Sequence, residues 1–169
     1  MRAPDMTRRR QVGTSHGFSL IELLIVVAII LIIAAIAIPN FMRSRLAANE
    51  SSGVQSLRNI TTANVVYSST YGMGYASSLA ILGPAPGNGL PTSTNAGLID
   101  DVLAAGTKSG YSFLYTPGPP DNGMVNSFQL QANPITRGYT GNRYFFTDES
   151  GVIRQNLDSP ASATDTPIG

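Results

Sequence analysis

Cysteine is absent from the 169 residues, and histidine occurs once, at His16. Without cysteine there is no disulfide framework and no thiolate metal site in any compartment. Beyond Gly17 the chain holds neither His nor Cys, which excludes Ser-His and Cys-His nucleophilic pairs and the usual zinc sites. This composition points away from an enzyme and gives no reason to expect a cofactor or a metal. Charge is scarce as well, at 12% of residues. The formal net charge of +1 is misleading, because Arg2, Arg8, Arg9 and Arg10, with the single acid Asp5, all precede Gly17. After Gly17 seven basic side chains face nine acidic ones, a net of −2. A nucleic-acid binder shows the opposite balance, with clustered Lys and Arg, so DNA binding has no support here.

Apolar residues are plentiful and unevenly spread. Phe18 to Ile38 is 21 residues without Gly or Pro, and only Ser19 and Glu22 in it are polar. As a helix this run is about 30 Å long, enough to cross a bilayer. Arg8 to Arg10 hold the preceding end in the cytoplasm under the positive-inside rule. Three readings fit the run. A secretory signal peptide would use Ala35-Ile36-Ala37 as a small-x-small cleavage site, but the apolar region is long for that role and contains a carboxylate. An uncleaved signal anchor fits by length alone. The third reading starts from Glu22, whose charge would cost about 2.5–3.5 kcal/mol at the centre of a span. Four residues after Phe18 it lies only ~6 Å along the helix, near the interface. If the chain is cut before Phe18, the new α-amine of one copy can meet the carboxylate of another, which is how buried charges are normally accommodated.

Gly17-Phe18-Ser19-Leu20-Ile21-Glu22 followed by the apolar run resembles the processing signal of the type IV pilin and type II secretion pseudopilin superfamily. The resemblance implies cleavage between Gly17 and Phe18 by prepilin peptidase, N-methylation of Phe18, and Glu22 as the assembly carboxylate. Pro39 matches the proline that kinks the family's long N-terminal helix. The implied partners are copies of the chain in a helical filament, the peptidase, an inner-membrane assembly platform with its ATPase motor, and the membrane before assembly. The implied location is the bacterial inner membrane, single pass with the N-terminus cytoplasmic. After assembly it becomes an extracellular pilus or a periplasm-spanning pseudopilus. The implied function is a structural pilus subunit serving adhesion, twitching motility or DNA uptake. A secretion pseudopilin is the alternative, and a membrane-anchored binding domain a third.

Residues 40–72 contain no proline and one internal glycine, Gly53, with an apolar stripe at Phe41, Leu46, Val54, Leu57, Ala63, Val65 and Val66. The pattern predicts that the helix continues to Tyr71, its second half lying on a globular domain and its first half seeking partners elsewhere. Arg43 and Arg45 fit the outer headgroup zone or a solvated face. Gly83, Pro84, Pro86, Gly87, Gly89 and Pro91 mark a long connection, and a short helix is expected from Leu98 to Ala105, ended by Gly106. Alternation in Tyr111, Phe113 and Tyr115, and in Phe128, Leu130 and Ala132, predicts strands. So do residues 142–148 and 151–155 around a turn at Asp148 to Gly151. The expected class is α+β, a pilin fold with a three- or four-stranded antiparallel sheet. The expected division is 1–17 as a removed leader, 18–38 as membrane and filament-core helix, 39–71 as the second helix half, 72–109 as connection, 110–157 as sheet and 158–169 as flexible tail.

Two departures from subfamilies are visible. No cysteine pair can close a C-terminal loop, so Phe145, Phe146 and Ile153 must hold the last hairpin by packing. The tyrosine-proline and acidic calcium-loop features of major pseudopilins do not follow Tyr71. Asp100-Asp101 and Asp148-Glu149 are expected on a helix and a hairpin turn, not in a calcium site, since neither forms a spaced acidic ladder.

Overall fold

A computed structural model describes residues 17–168. The expected leader lies outside the described residues except for Gly17. In chain order the elements are α1 (Leu20–Tyr71), α2 (Leu79–Leu82), a 3-10 turn (Pro86–Asn88), α3 (Asp101–Ala104), β1 (Thr107–Lys108) and β2 (Tyr111–Pro117). They continue with β3 (Pro120–Asp121), β4 (Met124–Val125), β5 (Phe128–Pro134), β6 (Tyr144–Asp148), β7 (Arg154–Asn156) and β8 (Thr166–Pro167). The chain separates between Pro39 and Asn40 into two compact units.

In the first unit α1 is apolar on every side, and all of its residues up to Pro39 are exposed except the half-buried Ala34. A helix hydrophobic all round is stable only when lipid or other protein covers it. Pro39 lies inside α1 and does not end it. It has no N–H to give the Ala35 carbonyl, so that turn lacks one backbone bond.

The second unit is an antiparallel sheet packed on the rest of α1, which gives the expected α+β architecture. The sheet order is β1-β2-β5-β6-β7-β8, with β3 and β4 a separate hairpin. The long strands β2, β5 and β6 form its centre, and short edge strands extend it to six. Register aligns Phe113 with Ala132 and Ala132 with Phe145. The alternation read in the sequence therefore puts Tyr111, Phe113, Phe128, Leu130, Ala132 and Phe145 into one core.

The buried face of α1 is Glu50, Gly53, Leu57, Ile60, Ala63, Asn64 and Tyr67, with Ser56 beside them. It differs from the apolar stripe expected, since Phe41, Val65 and Val66 are exposed. Asn64 takes a core position because its side chain is fully partnered there. The Asn64 side-chain oxygen accepts the Ala76 N–H at 3.1 Å and faces the Tyr115 hydroxyl at 3.1 Å, while its amide donates to the Ile60 carbonyl at 3.2 Å. The Tyr115 hydroxyl also donates to the Ala76 carbonyl at 2.7 Å, and burial raises its pKa above the ordinary tyrosine value.

Two expectations are corrected. The helix predicted from Leu98 to Ala105 is only α3, because Asp100 is extended (φ −70°, ψ 159°) and caps a helix that starts at Asp101, while the Leu98 and Ile99 N–H groups tie the preceding backbone to the Leu82 carbonyl at 2.8 and 3.1 Å. Gly106 does end it, at φ 83°. The tail 158–169, expected to be flexible, is ordered through residue 168. β8 pairs with β7, Ala161 is fully buried, and the Gln131 amide donates to the Ala161 carbonyl at 3.1 Å. Strand alternation turns Phe146 to the face opposite Phe145, and Phe146 is nonetheless buried outside the main core. Its cross-strand neighbour Gln131 bonds the tail at Ala161, and with the β7–β8 pairing and the bonds of Arg154 and Asn156 to Asp165 this orders a segment otherwise poor in apolar residues.

Candidate assembly site at the start of the helix

α1 begins at Leu20, so Ser19 is its N-cap and Glu22 its third residue. Ser-x-x-Glu at these positions is the capping-box pattern, in which the carboxylate reaches back to the N-cap backbone. One half of the box is formed: Glu22 Oε2 accepts the Ser19 N–H at 2.8 Å. The first helical bond, from the Leu23 N–H to the Ser19 carbonyl, measures 3.2 Å. A negative charge in the first turn is also favoured by the helix dipole, by about 0.3–1 kcal/mol at an exposed site. Glu22 is thus held locally before any partner arrives. Among the described residues its second oxygen, Oε1, has no hydrogen-bond donor.

Phe18 is 85% exposed, immediately before the cap. Gly17 has no positive φ, and a side chain built on it would meet no heavy atom within 4 Å. Nothing in the fold requires glycine there. The sequence-predicted residues Gly17, Phe18 and Glu22 therefore lie together at the start of α1, exposed among the described residues, while Pro39 is about four and a half turns further along the helix.

The acidic pairs elsewhere are occupied. Asp100 caps α3 by accepting the Leu103 N–H at 2.9 Å and pairs with Lys108 at 2.7 Å. That Lys108 contact is the main reason its carboxyl sits below the usual range. Asp148 accepts from the backbone and hydroxyl of Ser150, and Glu149 accepts the Phe128 N–H at 3.4 Å. No group of three or more metal-ligating side chains occurs among the described residues.

Sequence reasoning missed the buried carboxylate of Glu50. Its Oε1 accepts the N–H groups of Asn142 and Arg143 at 2.8 and 3.3 Å, and its Oε2 accepts Arg143 Nε at 2.8 Å. Arg143 also donates to Gln155 at 2.8 Å and lies over the Phe145 ring. These bonds join α1 to the entry of β6 and to β7. A charge on the buried side of a helix, in register with Gly53 and Leu57, was the available signal.

Residues 14–38 match the family described as "Prokaryotic N-terminal methylation motif". The chain is 51% identical over 49 residues to "Type IV major pilin protein PilA" of Myxococcus xanthus, covering 29% of this chain and 22% of that protein. It is 57% identical over 37 residues to "Type IV wide pilus major component PilA4" of Thermus thermophilus, covering 22% of this chain and 28% of that protein. The alignments thus span about a quarter of these curated relatives' length. No solved structure matches the chain significantly.

Proposed function

We propose that the chain is a member of the type IV pilin superfamily, the precursor of a structural pilus subunit and not an enzyme. The observation that carries the reading is the joining of a matched methylation motif to an apolar helix with no cover of its own, beside an independently packed domain. Prepilin peptidase would cut after Gly17 and methylate Phe18. The relatives' names, both major pilus components, favour a pilus over a secretion pseudopilus.

The physics of the leader supports cleavage as the licence for assembly. Arg8, Arg9 and Arg10 hold the end in the cytoplasm, and each would cost about 2.5–3.5 kcal/mol if drawn into an apolar interior. Removing residues 1–17 deletes that obstacle and creates an amine at Phe18. The free Oε1 of Glu22 is then available to an amine of a neighbouring copy, while Oε2 keeps the cap. Leaving lipid for a helix core gains little hydrophobic free energy, so packing and this charge pairing provide selectivity. An inner-membrane platform and its ATPase provide the work. Pro39 serves as the site where the helix can bend to fit its neighbours.

Mass spectrometry of filaments sheared from the source cells tests the reading. An abundant mature chain beginning at N-methylated Phe18 is expected. The same terminus found only in membranes would favour a pseudopilin or minor subunit, and a start at Ile38 would sink the account. Glu22→Ala should leave cleavage intact and impair filament formation, and normal filaments from that variant would refute the docking role.

A further inference from the structure

Between Glu22 and Glu50 the chain carries no acid, and its only charges there are Arg43 and Arg45, both exposed. Around them lies an apolar surface drawn from two separate segments. Phe41 (69% exposed) and Met42 come from α1, and Tyr139 (67% exposed) comes from the loop between β5 and β6. Phe41, Met42, Arg45, Tyr139 and Thr140 line one shallow groove. The loop is fixed there: Asn49 of α1 donates to the Thr140 carbonyl at 2.9 Å, and Glu50 holds the next backbone N–H groups. The first acid after the span is thus already paired with Arg143, so the charge that lines the groove is the cation of Arg45.

We propose that this groove is a lipid-headgroup site, in which Tyr139 and Phe41 enter the interfacial layer and Arg43 and Arg45 contact anionic phospholipid phosphates. Chain continuity supports the occupant. Phe41 and Arg45 follow Ile38 by only three and seven residues, ~4.5 and ~10.5 Å of chain at helical rise. The polar layer on each side of the hydrocarbon core is about 5–8 Å deep, so Phe41 falls within it, while Arg45 begins just beyond it and reaches back through its long side chain. Aromatic residues concentrate at that level, and arginine there is attracted by anionic lipid. Tyr139 is the distinctive member, because it is nearly a hundred residues away in sequence and is brought to the site only by the fold. The subunit would then hold its domain at the bilayer until assembly extracts it.

This inference rests on residues 18–38 spanning the bilayer, and the test separates the two. The chain contains no tryptophan, so single substitutions act as clean reporters. Full-length Ile32→Trp, Tyr139→Trp and Leu114→Trp variants are reconstituted in phosphatidylglycerol-containing vesicles with lipids spin-labelled near the headgroup or deep in the acyl chain. Quenching of Ile32→Trp by the deep label verifies insertion; its absence would overturn the span itself. With insertion verified, Tyr139→Trp should be quenched more by the shallow label than by the deep one. Leu114→Trp, also exposed but on the sheet, should not be quenched. Adding Arg43→Gln and Arg45→Gln should remove more than half of the Tyr139→Trp quenching. No quenching at Tyr139→Trp, equal quenching at Leu114→Trp, or a signal that vanishes when the protein is diluted among vesicles, as contact between copies would, overturns the proposal.

Discussion

Glu22 and Glu50 share a helix and have opposite surroundings. Glu22 is exposed and uses one oxygen to cap its own backbone, whereas Glu50 is buried with both oxygens engaged. Arg143 is 41% exposed, so screening makes the charge attraction at Glu50 the smaller part. The larger part is the two backbone N–H groups, which would lose their acceptor. Glu50→Ala is therefore expected to destabilise the domain by about 1–3 kcal/mol, with Glu50→Gln recovering part of the loss because its amide oxygen still accepts. Urea unfolding of the detergent-solubilised full chain measures this, and equal midpoints for wild type and Glu50→Ala would refute it. Tyr111 gives a second case. Its fully buried ring lies against Gly53, and its hydroxyl donates to the Arg143 carbonyl at 2.9 Å. A side chain at Gly141 would overlap that hydroxyl, so Gly141→Ala should cost about 1–3 kcal/mol through overpacking. A thermal midpoint equal to wild type would show that the ring can move. At the chain end, Asp165 accepts from the Ser162 N–H and hydroxyl at 2.7 and 2.9 Å and from Asn156 at 2.7 Å. These bonds, the backbone one first, hold its carboxyl below the usual range. A depressed folded pKa means stabilisation present above the ordinary carboxylate pKa of about 4 and lost as pH falls through the lower folded value. Protection of the Ser162 amide from exchange should hold at neutral and mildly acidic pH and fall only in that acid window; loss already near neutrality would contradict it.

Among the elements, α1 is where the sequence was most informative and also where it misled. Its length followed from the missing prolines after Pro39, yet its buried face was misassigned, because hydrophobicity alone cannot show that Glu50 and Asn64 find partners across the fold. The central strands were legible, since apolar residues at period two are buried on one side of β2 and β5. The β3–β4 hairpin was not identified, although Asn122 and Gly123 both take positive φ and mark a tight turn. The tail was misread for a different reason: its order comes from the Gln131 bond, the β7–β8 pairing and the bonds of Arg154 and Asn156 to Asp165, contacts that no local pattern reveals. At the start of α1, the motif was readable as a processing signal, but the Ser19 cap within it emerged only from the backbone geometry. Pro39 supplies the prediction at this scale. Pro39→Ala restores a donor to the Ala35 carbonyl and removes a residue disfavoured by about 3 kcal/mol in a helix interior. Amide exchange in micelles should slow across residues 36–43 while the domain's thermal midpoint stays the same. Unchanged exchange would mean that the turn is already as stable as its neighbours.

For the whole molecule, the division between the two units predicts an asymmetry in what each needs from its surroundings. Every buried apolar residue of the main core lies beyond Gly53, and the first side-chain bond from α1 to the rest of the domain is made by Asn49. Residues 40–48 contribute no buried side chain, so a chain cut at Asn40 loses no core packing. The fragment 40–169 should fold, remain monomeric in sedimentation without detergent, and melt within a few degrees of the full chain, with only its first two turns frayed. The full chain should require detergent or lipid, because its apolar helix exposes Leu20, Ile21, Leu31, Ile32 and Ile36 at 60% or more. That difference is the physical basis of the proposed filament. One unit supplies its own core and holds its shape, while the other has none and needs cover from lipid or other protein. If the fragment instead aggregates or melts far below the full chain, the apolar helix supports the domain, and the two-part division assigned to the molecule is wrong.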